Sequence, residues 1–124
     1  MATTTLINFG HPLSEDATTA LQGLVGELDT RMVRVQLDMT KALADQVRRV
    51  VDSVGFAPNE WQTTSFMLVL PGATVAAALV LAEIHGRSGG FPRIVSLVSG
   101  EDRVFRLSEV IDLQEVRGEA RTRR

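Results

Sequence analysis

The stretch "SFMLVLPGATVAAALVLAEIHGR", Ser65 to Arg87, limits what this chain can fold into more than any other. The nineteen residues from Phe66 to Ile84 are almost wholly apolar, yet Pro71-Gly72 divides them. A membrane helix needs about 20 consecutive apolar residues, and this run approaches that length only by passing through the break. It is therefore not read as a span. Divided at Pro-Gly, "SFMLVL" reads as a strand covered on both faces. "PGAT" is then a turn, and "VAAALVLAEIHG" a helix apolar nearly all round, which predicts that it is buried.

The flanking sequence repeats this alternation. "TTLINF" (Thr4 to Phe9) reads as a short buried strand. Leu21, Leu24, Val25 and Leu28 follow at helical spacing after a good helix start at Ser14-Glu15-Asp16. "RMVRVQLD" alternates, with Val33, Val35 and Leu37 on one face, and predicts a second strand. "TKALADQVRRVVDSVG" places Leu43, Val47, Val50, Val51 and Val54 on one helical stripe, with Thr40 as its cap and Gly55 as its close. "APNEWQTT" is a connector whose Trp61 packs a loop onto the core. Beyond the opening stretch, "RIVSLV" and "VFRLSEVI" form a hairpin around "SGEDR". Asp112 and Glu115 then form a cap pair starting a last helix, "LQEVRGEARTRR". The order β-α-β-α-β-α-β-β-α predicts one Rossmann-like α/β domain over residues 1–124. Its sheet is mainly parallel with an antiparallel C-terminal hairpin strand, and helices cover both faces.

Composition narrows the possible partners. The 124 residues carry 13 Lys and Arg against 15 Asp and Glu, a net charge of −2. This is not the basic field of a duplex-DNA binder. Lys41 is the sole lysine, so an anionic ligand would meet a few arginines and backbone amides, a balance suited to a small anion. The arginine-rich end "VRGEARTRR" reads as a solvated helix end, or else as a guide for an anion or a neighbouring subunit. No cysteine excludes disulfides and thiolate chemistry and fits a reducing cytoplasm. "MATTTLINF" lacks the pattern of a signal peptide. No metal spacing, GxGxxG, GxxxxGK[ST] or Gly-x-Ser-x-Gly motif is present, so no metal or cofactor is expected.

In open α/β sheets, ligands bind beyond the carboxyl ends of the strands, where strand order reverses. With order 2-1-3-4, two loops converge there: "NFGHPLS" after strand one and "LPGAT" after strand three. Asn8, Gly10, His11 and Ser14 offer polar groups in the first, unless Gly10-His11-Pro12 is simply a tight turn and Ser14 a cap. In the second, Gly72 admits close backbone approach after Pro71. Free amides of Ala73, Thr74 and Val75, with the Thr74 hydroxyl, suit phosphate or carboxylate. The alternative is that Pro-Gly merely ends a strand. His85 and Arg87 are a second pair, expected at the opposite edge of the sheet beside a glycine C-cap. They would join the site only if subunits stack head to tail.

The chain resembles a small family of Csx proteins encoded beside type III CRISPR systems. The resemblance is carried by "LINFGHPLS", "GFAPNEWQT", "LPGATVAAALVLAEIHGR", "FPRI" and "EVIDLQEVRGEARTRR", in that order from end to end. It implies binding of a cyclic oligoadenylate second messenger, above all cyclic tetra-adenylate, in antiviral signalling. Asn8, Gly10, His11, Pro71, Gly72, Ala73 and Thr74 would form the binding edge, with His85 and Arg87 as a second-edge or intersubunit pair. Small proteins of this neighbourhood lower the signal by cutting the ring or by holding it. A homodimer would set two copies of each loop around a ring of four phosphates, and dimers could stack. His11 is the sole candidate proton carrier at this edge, and the chain has no tyrosine. Sequestration is therefore the favoured expectation. The alternatives are a metal-independent ring nuclease using His11 and a protein-interaction adaptor that binds no nucleotide.

Overall fold

The structure, a computed structural model, describes residues 2–124. Ten elements follow the chain: β1 (Thr4–Asn8), α1 (Glu15–Val25), β2 (Leu28–Met32), α2 (Leu43–Asp52), α3 (Glu60–Thr63), β3 (Phe66–Val69), α4 (Thr74–Ser88), β4 (Arg93–Ser99), β5 (Phe105–Asp112) and α5 (Leu113–Arg121). The five strands form one sheet in the order β2-β1-β3-β4-β5. β1 pairs in parallel with β2 and β3, β3 with β4 in parallel, and β4 with β5 antiparallel. This is the Rossmann-like α/β arrangement that the alternation of elements predicts.

The pleat divides the core in two. Ile7, Phe9 and Leu68 point to the face covered by α2, α3 and α4, where they meet Val47, Val51, Trp61, Val80 and Ile84. Leu6, Met67 and Val69, one residue out of phase, point to the opposite face and meet Leu21 of α1. Trp61 does seat its segment on the core. Its ring lies 4.8 Å from Phe56 and 5.5 Å from Phe66, both edge-on, and the residue is buried within the single helical turn of α3 rather than in an irregular connector.

Helix caps account for two starts and correct a third. Ser14 accepts the Ala17 amide at 3.1 Å before α1, and Asp112 accepts those of Gln114 and Glu115 before α5. Thr40 does not cap α2. Its amide and hydroxyl turn back to Asp38 Oδ1, and the cap position is Ala42, with no side-chain bond. Gly55 follows the end of α2 with φ +83°, the left-handed conformation that favours glycine.

Three other expectations are corrected. The second strand is Leu28–Met32 and not the apolar alternation after it, so Leu28 leaves the helix to which its spacing assigned it. β1 is only five residues long, and pairing with β1 defines β2. Residues 33–37 run past its end. Beyond the bond from the Val33 amide to the Asn8 carbonyl, 2.9 Å, their alternation reflects packing onto the core beside α2. Leu24 is 65% exposed, because α1 meets the sheet through Ala17 and Leu21 alone among its buried residues. Finally, α4 buries one stripe, Ala76, Val80 and Ile84, while Val75, Ala78 and Ala82 are exposed. The small side chains of Ala78 and Ala82 make solvent contact tolerable for a sequence that reads as apolar all round.

At the far edge, the β4–β5 hairpin is closed by paired bonds from Arg106 to Asp102 at 2.7 and 3.1 Å, which hold the Asp102 carboxyl down at about 2. The Ser14 hydroxyl donates to the Phe105 carbonyl at 3.2 Å, so the hairpin is anchored beside the start of α1. Among the described residues no helix is long and apolar enough to cross a membrane.

Because α1 is the principal cover of its face, Leu21 should carry much of that face's stability. Leu21→Ala is expected to cost about 2–5 kcal/mol in chemical denaturation. A loss below about 1 kcal/mol would mean that α1 is not packed as described.

Candidate functional site

β1 lies between β2 and β3, so the chain leaves it on one side to form β2 and later returns on the other. At its carboxyl end the following loops diverge and leave a gap. The cleft found there measures about 520 Å³, within the range of small-molecule sites. Three segments line it: Phe9, Gly10 and His11 after β1, Met32 to Val35 at the end of β2, and Pro71, Gly72, Ala73 and Ala76 leading into α4.

Asn8 does not line the cleft. It is fully buried, and its side chain organises the first loop from below. Oδ1 accepts the Gly10 amide at 2.8 Å, and Nδ2 donates to the His11 carbonyl at 2.9 Å. The backbone on either side of the turn is thereby fixed by one amide group. Gly10 itself is pressed against β3: an added Cβ would sit 3.0 Å from the Leu70 carbonyl oxygen and 3.2 Å from Val69 Cγ1. A side chain there would separate the loops that form the cleft. His11 is exposed at the rim, and its imidazole makes no hydrogen bond among the described residues.

Gly72 is of a different kind. Its φ lies outside the left-handed region, and an added Cβ would meet nothing within 4 Å. Neither backbone conformation nor internal packing requires glycine at this position. Gly72 belongs to the lining of the cleft, and the space beside its Cα is open. Just beyond it, α4 begins with no side-chain cap and no acidic residue in its first turn. Its first internal bond runs from the Ala77 amide to the Ala73 carbonyl at 2.9 Å. The amides of Thr74, Val75 and Ala76 therefore precede the helix's own ladder. Thr74 is the first residue of α4 and is exposed, but lies outside the lining of the cleft.

The segment after β2 is absent from the sequence expectation. It brings Arg34, exposed and without an ionic partner among the described residues, to the wall opposite α4. A strand drawn through residue 38 leaves Arg34 in mid-strand, whereas ending it at Met32 puts Arg34 at a strand's carboxyl end. No carboxylate lines the cleft, although the chain carries 15.

His85 and Arg87 stay at the opposite edge, as their place before the Gly89 C-cap implies. Arg87 bonds to Asp52 at 2.8 Å and Glu83 at 3.1 Å and joins α4 to α2. His85 packs on Phe91 with ring centres 4.4 Å apart. Neither reaches the cleft of its own chain.

Fold and site together define a small Rossmann-like α/β domain with an open, carboxylate-free cleft at its topological switch point. No family model, no curated protein and no solved structure matches the chain.

The two glycines should separate fold from site. Gly10→Ala is expected to destabilise by about 1–3 kcal/mol through the contact with Leu70. Gly72→Ala should change stability by no more than about 0.5 kcal/mol. Equal effects in thermal or denaturant unfolding would contradict this geometry.

Proposed function

We propose that this protein binds a cyclic oligoadenylate, cyclic tetra-adenylate foremost, and holds it without cutting it, damping the signal that the ring carries in type III CRISPR defence. The nucleotide identity comes from the resemblance of the sequence to the Csx group. One observation carries the anion-binding part: the cleft combines the uncapped start of α4, Arg34 and His11 with no carboxylate in its lining. Backbone amides at a helix start and a guanidinium are donors matched to phosphate oxygens.

Holding is favoured over cutting by what lines the cleft. Attack of a ribose 2′-hydroxyl on its neighbouring phosphate needs alignment, removal of one proton and delivery of another. His11 is the one lining side chain of a type that serves as a general acid or base. Arg34 can steady charge but offers no acceptor for a proton.

His11, Gly72 and Ala73 are all exposed, so a ligand seated on them keeps its outer side uncovered. A second copy related by a two-fold axis would cover that side with the same donors, matching the rotational symmetry of a four-phosphate ring. This is the basis for a homodimer, and stacking of dimers would extend it.

Incubating excess protein with radiolabelled cyclic tetra-adenylate measures capture and breakdown together. Intact ring should be retained. Gly72→Trp should weaken capture about a hundredfold or more, on the order of 3 kcal/mol, with an unchanged melting temperature. Linear products that disappear in His11→Ala would replace sequestration with cleavage. No binding heat with any cyclic or linear oligoadenylate would leave the adaptor alternative.

A further inference from the structure

A second depression of about 300 Å³ lies against α2 and shares Arg34 with the cleft. Its other edge is formed by Arg49 and Ser53 of the α2 end, with Gln36 and Gln46 between. Like the cleft, it has no carboxylate in its lining.

The arginines in residues 2–100 divide sharply. Arg31 donates to the Val54 carbonyl at 3.0 Å and lies over Phe56, and Arg48 pairs with Asp45 at 3.0 Å. Arg87 pairs with Asp52 at 2.8 Å, and Arg93 donates to Ser65 at 3.2 Å. Arg34 and Arg49 make no ion pair or side-chain hydrogen bond among the described residues, and these two share one groove. The carboxylates within a helical turn of Arg49 are engaged elsewhere, Asp45 with Arg48 and Asp52 with Arg87. Gln46 is also committed, to both backbone groups of Asp38 and to the Ala42 carbonyl. The open donors of the groove are thus the Gln36 amide and two guanidiniums, and only the guanidiniums carry charge. A position near the end of α2 suits one cation through the helix dipole, but gives no reason for a second beside it. Two like charges sharing a groove repel, and a phosphate between them removes that repulsion and accepts paired bonds from each.

We propose that the Arg34–Arg49 groove is a second phosphate subsite, continuous with the cleft, so that each protomer grips two successive phosphates of an oligonucleotide. It rests on the reading of the cleft as a nucleotide site and extends that reading to a ligand longer than one nucleotide. Arg34 would stand between the two phosphates, and Arg49 would meet only the second.

The test compares the wild-type protein with Arg49→Gln, using cyclic tetra-adenylate and adenosine monophosphate between 50 and 200 mM salt. Arg49→Gln should weaken the ring roughly tenfold and lower the slope of log affinity against log salt by about 0.7. Binding of the mononucleotide and the melting temperature should not change. Ring binding by Arg49→Gln indistinguishable from wild type overturns the subsite while leaving the cleft intact. A different failure marks the cleft: no ring binds, yet the Arg34 and Arg49 Nε resonances shift with tripolyphosphate. That result keeps the groove as a phosphate site and overturns the nucleotide reading. No ring binding and no such shift removes both.

Discussion

β1 is hydrogen-bonded in parallel along both edges, to β2 on one side and β3 on the other. A parallel neighbour cannot be reached by a tight hairpin, so the chain must cross a face of the sheet after each strand. α1 makes the first crossing, and the α2–α3 segment makes the second over the other face. The loops that leave β1 and β3 then separate at the carboxyl edge, and the cleft is their separation. The same pairing buries β1 completely, so Asn8 at its end must find partners within the protein. It finds them in Gly10 and His11, and a demand of the core becomes the support of the first loop.

Electrostatics at the same edge depend on what α4 lacks. α1 begins with Ser14, Glu15 and Asp16, and α5 with Asp112 and Glu115, so each has its own cap and compensating charge. α4 is the longest helix among the described residues and begins with Ala73, Thr74 and Val75. Its partial positive charge is left to solvent or to a ligand. Arg34 adds to that charge across the gap. With a net charge of −2 the molecule as a whole does not attract polyanions, so the attraction is local to this edge.

Much of the architecture was legible because pattern and packing agree. Phe66 to Leu70 reads as a doubly covered strand, and the core takes residues from it on both faces. Pro71-Gly72 separates strand from helix as its chemistry demands, and Asp112 caps as its spacing to Glu115 suggests. Where the reading departs from the structure, side-chain pattern and backbone pairing part company. Val33, Val35 and Leu37 alternate like a strand but lie beyond the end of β1, whereas the polar Leu28–Met32 segment pairs with it. That displacement hid Arg34, the one arginine in the lining of the described cleft. Asn8 offers polar groups at a strand end, and a sequence alone does not distinguish a group that faces a ligand from one that supports the loop. Thr40 was similarly ambiguous, since Asp38 two residues earlier offers it a closer partner than the helix does.

The central claim is that phosphate is met by the amides that begin α4, opposite Arg34. The most direct measurement is an amide chemical-shift titration of the whole protein with cyclic tetra-adenylate. The account predicts the largest shifts at Gly72, Ala73, Thr74 and Val75, with Gly10 and Arg34 following. Shifts concentrated at His85 to Gly90, with the start of α4 unmoved, would contradict it.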